Sequence, residues 1–152
     1  MKTIAFFVAF SFVPMAQAVD FDEDFDPEMV IEYRKDYMTA VKGHNNAIKA
    51  IVNGVVPYEG HLDMHIASLE TLFSDIESLF PEGSDFGETN AKDAIWDNPE
   101  KFSKTAANAR QALETFKGIV SKGDQAQTRS AFKKFGKDSC GSCHKSFKKK
   151  QD

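Results

Sequence analysis

The amino-acid sequence predicts an all-α protein, folded as an antiparallel up-down-up-down four-helix bundle. Apolar residues recur at helical spacing in four successive segments, and no segment alternates apolar and polar residues over the length of a strand. The segments are joined by short or modest connections, which favour antiparallel neighbours. The chain has 152 residues, of which 41% are hydrophobic and 28% charged, and this is the composition of one globular domain.

Residues 1–18 have the pattern of a secretory signal peptide. An early lysine precedes an apolar run over 4–13, and Ala-Gln-Ala at 16–18 fits a cleavage site. The apolar run is about half the length of the roughly 20 residues that cross a bilayer. We therefore expect residues 1–18 to be removed, residues 19–152 to form a single domain, and no membrane-spanning segment.

The first helix is predicted from Pro27 to Asn53. Asp26 is a suitable N-cap, and Pro27 stands at the first helical position, where its missing N–H removes no helical hydrogen bond. Gly54 is the predicted stop. Arg34 is the one charged member of the otherwise mostly apolar stripe along this helix.

The second helix is predicted from the periodic run that begins at Leu62 and continues to Phe80. Pro81 cannot extend a helix and is expected to end it. Residues 81–91 are rich in Gly, Pro and polar side chains, which predicts a loop.

The third and fourth helices have start signals of the same kind. Asn98 and Pro99 repeat the cap-proline pattern, and Gly123 is expected to close the third helix. Asp124 then caps the fourth helix, with Gln127 as its capping-box partner. The inward stripe of this last helix contains two cysteines and a histidine, which are unusual in a core.

Residues 140–144 read Cys-Gly-Ser-Cys-His, the attachment signature of c-type haem. Residues at i, i+3 and i+4 share one face of a helix, so Cys140 and Cys143 can reach the porphyrin vinyl groups and His144 can bind the iron. The chain has no other cysteine. The sequence thus predicts one covalent haem c, with His144 as the metal ligand.

Other uses of the two cysteines agree less well with the sequence. A redox dithiol follows a strand and opens a helix, whereas this motif lies near the end of one. A zinc site needs ligands from a second cluster, and His44, His61 and His65 are scattered along the chain. A disulfide across two residues would be strained and would close almost no loop.

Several function classes are disfavoured by charge and composition. A net charge of −4 argues against a nucleic-acid binder. No paired carboxylates or nucleophile-base pair can be inferred, so we expect no enzymatic role. Lysines crowd the fourth helix, and they either attract an acidic redox partner or simply solvate the helix end.

Together with the haem motif, a set of short segments makes the chain resemble the cytochrome c′ family of bacterial periplasmic haem proteins. The segments are Tyr33-Arg34, Met38, His44, Val56-Pro57-Tyr58, Phe80-Pro81-Glu82-Gly83, Ala94-Ile95-Trp96 and the terminal CGSCHKSFKKK. The resemblance implies a periplasmic location and a homodimer formed through the first two helices.

The resemblance also implies a five-coordinate, high-spin iron with His144 as its only protein ligand. Met38 would shield the opposite iron face and leave room for a small diatomic such as NO or CO. Arg34 would contact a haem propionate. Further contacts at the haem edge are implied for Lys35, Thr89 and Asn90.

The role of Met38 has an alternative. As a sixth ligand it would make the protein a low-spin carrier of single electrons, as in relatives of the same fold whose first helix supplies a methionine. Lys148 stands where many relatives carry an arginine, which leaves its role open. Trp96 is expected either beside the porphyrin or in the core.

The three histidines outside the haem motif are expected to have structural or solvent-exposed positions. His61 and His65 are four residues apart on the second helix, and we expect them to lie on a solvated face rather than to form a metal-binding site. His44 lies on the inner side of the first helix, where it is either a rival axial ligand or a hydrogen-bonded structural histidine, and we expect the latter.

Overall fold

The computed structural model describes residues 26–150, so the expected signal peptide lies outside the described residues. The described part is the predicted antiparallel four-helix bundle, and it contains no β-strand. Its α-helical segments are α1 Pro27–Val52, α2 Leu62–Ser74, α3 Ala94–Asp97, α4 Pro99–Val120, α5 Gln125–Gly136 and α6 Ser142–Phe147. The arms of the bundle are α1, α2, α4 and the final arm formed by α5 and α6.

The first arm begins and ends close to its predicted limits. The Asp26 carboxylate accepts a 2.9 Å hydrogen bond from the backbone N–H of Glu28, which confirms the N-cap. The helix ends at Val52, and Gly54 follows with φ +68°, a left-handed conformation that glycine adopts without a Cβ clash.

The second arm departs from the prediction of one helix to Phe80. The α-helix ends at Ser74, and after Asp75 the chain continues as a 3₁₀ turn, Ile76–Leu79. The apolar spacing persists through both pieces, so periodicity alone could not detect the break.

Side chains from other arms bind the carbonyl groups released where α2 ends. The Tyr37 hydroxyl donates to the Leu72 carbonyl at 2.7 Å, and Arg110 donates to the Phe73 carbonyl at 3.1 Å. Because terminal carbonyls lack helical partners, these bonds stabilise an end that the local sequence does not specify.

The third and fourth arms begin where predicted, with different capping. Asn98 makes no side-chain cap bond, so that part of its prediction was wrong. Asp124 accepts from the backbone N–H of Gln127 at 2.9 Å, while the Gln127 side chain bonds to the same carboxylate rather than to the backbone. Gly123 precedes it with φ +74°.

The final arm is interrupted by a π-helical turn, Lys137–Gly141, where one continuous α-helix was predicted. Serine hydroxyls bind main-chain carbonyls there: Ser139 donates to Phe135 at 2.8 Å and Ser142 donates to Ser139 at 3.0 Å. Such bonds compete with backbone N–H groups and widen the helix locally.

Two apolar clusters hold the bundle together. The larger joins α1, α2, α4 and α5, and its buried members are Ile48, Val52, Ile66, Leu69, Phe73, Leu113, Phe116, Phe132 and Phe135. The smaller joins α3, α4 and α6 through Ile95, Phe102 and Phe147. None of the helices within residues 26–150 combines the length and apolarity needed to cross a bilayer.

Candidate functional site

A cavity of about 430 Å³ opens between α1, α4 and the final arm. Phe73 of the larger apolar cluster and Phe102 and Phe147 of the smaller one contribute to its walls. Its volume falls in the range of cofactor and small-molecule sites. The gap between the two clusters is therefore large enough to receive a prosthetic group.

All the residues predicted for the site line this one cavity. They are Arg34, Lys35, Met38, Thr89, Asn90, Cys140, Cys143 and His144. Lys148 also lines it. The fold thus brings α1, the loop over 81–91 and the Cys-x-x-Cys-His segment around a common space.

The two cysteines of the motif are half-buried thiols at the cavity wall. Cys140 lies in the π-helical turn and Cys143 in α6. Burial, with smaller effects from Cys140 and Glu77, raises the pKa of the Cys143 thiol to about 11. A redox-active dithiol has a lowered pKa instead, so the redox alternative gains no support.

His144 follows Cys143 on α6 and lines the same cavity. Desolvation and the nearby charge of Lys148 lower its pKa, which favours the neutral imidazole that binds metals. Within the described residues, no three His, Cys, Asp or Glu side chains are grouped to hold a metal ion. A zinc site built on this motif is therefore unsupported.

Arg34 is buried, at 5% exposure, and its guanidinium is held by four hydrogen bonds. One nitrogen donates to the Ser84 hydroxyl at 3.0 Å and to the Leu79 carbonyl at 3.2 Å. The other donates to the Ser84 carbonyl at 2.9 Å and to the Thr89 hydroxyl at 2.8 Å. These bonds join α1 to the loop over 81–91.

The positive charge of Arg34 has no carboxylate partner within residues 26–150. Its guanidinium lies 4.7 Å from the Phe80 ring centroid, and burial lowers its pKa. A buried cation bound only by neutral groups favours an anion nearby. A carboxylate-bearing group such as haem, with its propionates, fits this cavity wall.

Thr89 and Asn90 are fixed by pairing between their loop and the end of α6. The Lys92 N–H donates to the Phe147 carbonyl at 3.0 Å, and the Lys149 N–H donates to the Asn90 carbonyl at 2.8 Å. An isolated antiparallel bridge joins Ala91 to Lys148 at the same place. Sequence reasoning could not foresee this contact, because neither segment has a strand pattern.

Met38 and Asn45 line the cavity from α1. Met38 is half-buried and lies on a different arm from His144. Asn45 was not among the predicted site residues, and its Oδ1 atom is buried without a hydrogen-bond partner. Its position as the polar member of an apolar stripe was the signal that could have found it.

Trp96 packs beside the site without lining the cavity. Its indole Nε1 donates to the carbonyls of Phe80 and Pro81, at 3.1 and 3.0 Å. Its ring lies edge-on to Phe80 with centroids 6.1 Å apart. Of the two expectations for Trp96, these contacts favour the core aromatic.

The other histidines lie outside the cavity. His44 is hydrogen-bonded, as expected, and its partner is His65 across the contact between α1 and α2. The prediction of a solvated face holds for exposed His61 but was wrong for His65, which is half-buried in this pair.

Comparison with known proteins gives one consistent result. A family model described as Cytochrome C' matches residues 29–148. The chain is 29% identical over 123 residues to cytochrome c′ of Pararhodospirillum photometricum, an alignment that covers 80% of this chain and 98% of that protein.

Solved structures from Alcaligenes xylosoxidans have the same fold. The nitric oxide complex of a cytochrome c prime variant superposes with a TM-score of 0.74 at 25% identity, covering 85% of this chain and all of that one. A carbon monoxide-bound variant gives 0.73 at 25% identity, covering 84% of this chain and all of that one.

Proposed function

The chain belongs to the cytochrome c′ family, and we propose that it is a periplasmic haem protein that binds nitric oxide or carbon monoxide at iron. One haem c would be attached by thioether bonds to Cys140 and Cys143, with His144 as the only protein ligand of iron. When bound, the haem would supply an iron that can accept a diatomic molecule.

One observation carries this proposal. Both cysteines and His144 line the same cavity as Arg34, a buried cation without a carboxylate partner in the described part of the chain. Thioether formation, iron ligation and propionate binding thus have suitable groups around one space. Lys35, Thr89 and Asn90 complete the proposed haem-edge contacts.

The chain's own residues favour a small, weakly polar ligand. Met38 lines the cavity from α1, and apolar side chains, including Phe102 and Ala106, make up much of the remaining wall. An apolar wall excludes water and offers few hydrogen bonds to a polar ligand. Related proteins named cytochrome c prime have been solved with nitric oxide and with carbon monoxide, which supports the same ligand class here.

Single-electron transfer is the second candidate function. Met38 and His144 line one cavity from separate arms, so a six-coordinate, low-spin iron is the alternative arrangement. The exposed lysines of the final arm and of the residues just after it are suited to an acidic redox partner; they include Lys133, Lys134, Lys137, Lys145 and Lys149. Both candidate functions are binding or carrier roles rather than catalysis.

A homodimer through α1 and α2 is also part of the proposal. Large apolar side chains are exposed on these helices and their connection, among them Met29, Tyr33, Tyr58 and Met64. Burial of such a patch in a dimer would be favourable. Sedimentation that finds only monomer at micromolar concentration would exclude the dimer.

The proposed function is tested by absorption and magnetic spectra of the purified ferrous protein, with and without NO or CO. We expect a high-spin, five-coordinate spectrum that changes when either gas is added. A low-spin, six-coordinate spectrum before addition would support the electron carrier instead. Mass spectrometry must also find the haem mass on the polypeptide, since its absence would refute both functions.

A further inference from the structure

Three of the four histidines in the sequence gather where α1 meets the start of α2. His44 Nδ1 lies 3.0 Å from His65 Nδ1, with the ring centroids 5.2 Å apart. His61 precedes His65 by four residues, and its ring is stacked on Tyr58 at 5.3 Å. The only histidine that lines the haem cavity is His144, so this cluster is separate from it.

We propose that His44 and His65 form a binding site for a divalent late transition metal, such as Ni²⁺ or Cu²⁺, that links α1 to α2. The two Nδ1 atoms are the protein ligands, and water fills the other positions. The site is independent of the haem and of the proposed diatomic ligand.

The separation of the two nitrogen atoms fits this class of metal. At the usual metal–nitrogen distance of about 2.0–2.1 Å, two nitrogens 3.0 Å apart subtend an angle of about 95° at the metal. That angle suits neighbouring ligands in tetragonal or octahedral coordination. Tetrahedral Zn²⁺ would require the nitrogens to move apart to about 3.3 Å.

The protonation chemistry of the pair is also compatible with a metal. In the hydrogen bond, one Nδ1 carries the proton and the other accepts it. Both Nδ1 atoms must be unprotonated to bind a metal. The ring that carries the proton on Nδ1 must therefore change tautomer and carry it on Nε2. Burial, His44 and His61 all lower the pKa of His65, which keeps that ring neutral and able to bind a metal.

The site lies where it can join two arms of the bundle. Both rings are half-buried, which limits their motion while leaving part of the pair accessible to solvent. Neutral imidazole is a preferred ligand of Ni²⁺ and Cu²⁺. A metal held by one ring from each helix would stabilise the folded protein, because the unfolded chain does not hold the two rings together.

Isothermal titrations of the haem-loaded, untagged protein with Ni²⁺ and, separately, with Zn²⁺ test the proposal. We expect one Ni²⁺ per chain, tighter binding of Ni²⁺ than of Zn²⁺, and an unchanged haem absorption spectrum. His44→Gln and His65→Gln should each weaken Ni²⁺ binding by about tenfold or more. Asn46→Ala, an exposed substitution two residues after His44 on α1, is the matched control and should bind Ni²⁺ as the unmodified protein does.

A stability measurement accompanies the titration, so that an unstable variant is not mistaken for loss of the site. Ni²⁺ should raise the melting temperature of the unmodified protein and of Asn46→Ala, but not that of either histidine variant. The proposal is overturned if both histidine variants bind Ni²⁺ normally, if Zn²⁺ binds more tightly than Ni²⁺, or if the haem spectrum changes as Ni²⁺ binds.

Discussion

The guanidinium of Arg34 donates a 2.8 Å hydrogen bond to the hydroxyl of Thr89, residues 55 apart in sequence. This bond fastens the loop over 81–91 to α1 at the cavity wall. The same guanidinium also satisfies the carbonyls of Leu79 and Ser84. A single buried side chain therefore holds both the 3₁₀ end of the second arm and the loop after it.

Replacing Arg34 by Leu should destabilise the protein by about 2–4 kcal/mol, because buried oxygen atoms would lose their donors. Urea unfolding of the haem-loaded protein measures this change. The matched control is Arg129→Leu, because exposed Arg129 donates only to the Val52 carbonyl, at 3.2 Å. This variant should lose less than about 1 kcal/mol of unfolding free energy. Equal losses in the two variants would contradict this role of Arg34.

The Glu77–Arg110 pair should make stability depend on pH. Arg110 donates to both carboxylate oxygens at 2.8 and 2.9 Å, and this lowers the pKa of Glu77 below its ordinary 4.5. A lowered folded-state pKa gives stability that is fully present above the unfolded value and is lost as pH falls through the folded value.

Glu77→Gln should therefore lower the free energy of unfolding by about 1 kcal/mol at pH 7, since the pair is about one-third exposed. The difference from the unmodified protein should shrink as pH drops below 4.5. Glu70→Gln, which breaks a more exposed pair with Lys117, is the control and should change stability less. A constant difference across the acid range would contradict the assignment.

Two glycines near the end of α4 should respond oppositely to alanine. Gly123 has φ +74°, where an L side chain is strained, so Gly123→Ala should destabilise by about 1 kcal/mol. Gly118 lies inside the helix with open space around it, so Gly118→Ala should stabilise by up to about 1 kcal/mol. Thermal unfolding of the two variants side by side checks both signs.

Local signals predicted the bundle well. The starts of α1 and α4 follow from Asp26-Pro27 and from Pro99, and their ends follow from the glycines after each helix; all of these act within a few residues. The early end of α2 was missed, because it depends on Tyr37 and Arg110 reaching in from other arms. Such distant donors leave no local mark in sequence.

The candidate site also contains some residues that the local sequence predicts and others that it does not. The Cys-x-x-Cys-His motif is contiguous and could be read directly. Arg34 was indicated by its charge on an apolar stripe together with the family resemblance, and Thr89 was proposed only through the resemblance. The contact between α1 and the loop over 81–91 results from tertiary packing, and the spacing of residues in the sequence does not predict it. The π-helical turn was also missed, since serine hydroxyls that bind main-chain carbonyls resemble ordinary helix positions in sequence.

Replacing Met38 by Ala should distinguish the two candidate functions. If iron is five-coordinate, the spin state should stay high and NO or CO should bind faster. The reason is that alanine is smaller than the half-buried Met38 side chain and leaves more room in the cavity. Stopped-flow mixing and magnetic spectra measure both properties. A switch from low to high spin, with a changed reduction potential, would instead identify Met38 as an iron ligand.

Lys148 should raise the reduction potential of the proposed haem. It lines the cavity and is half-buried, and its positive charge adds to the larger effect of desolvation in lowering the pKa of His144. The same charge favours reduced iron, which carries one positive charge fewer than oxidised iron. Lys148→Gln should therefore lower the potential by on the order of tens of millivolts, while Lys148→Arg should keep it near the original value.

Exposed Lys145 lies on α6 outside the cavity, so Lys145→Gln is the matched control for spectroelectrochemical titration. An equal fall in the potentials of Lys148→Gln and Lys145→Gln would mean that the cavity position of Lys148 has no special effect, and only the general charge of the lysine-rich surface matters.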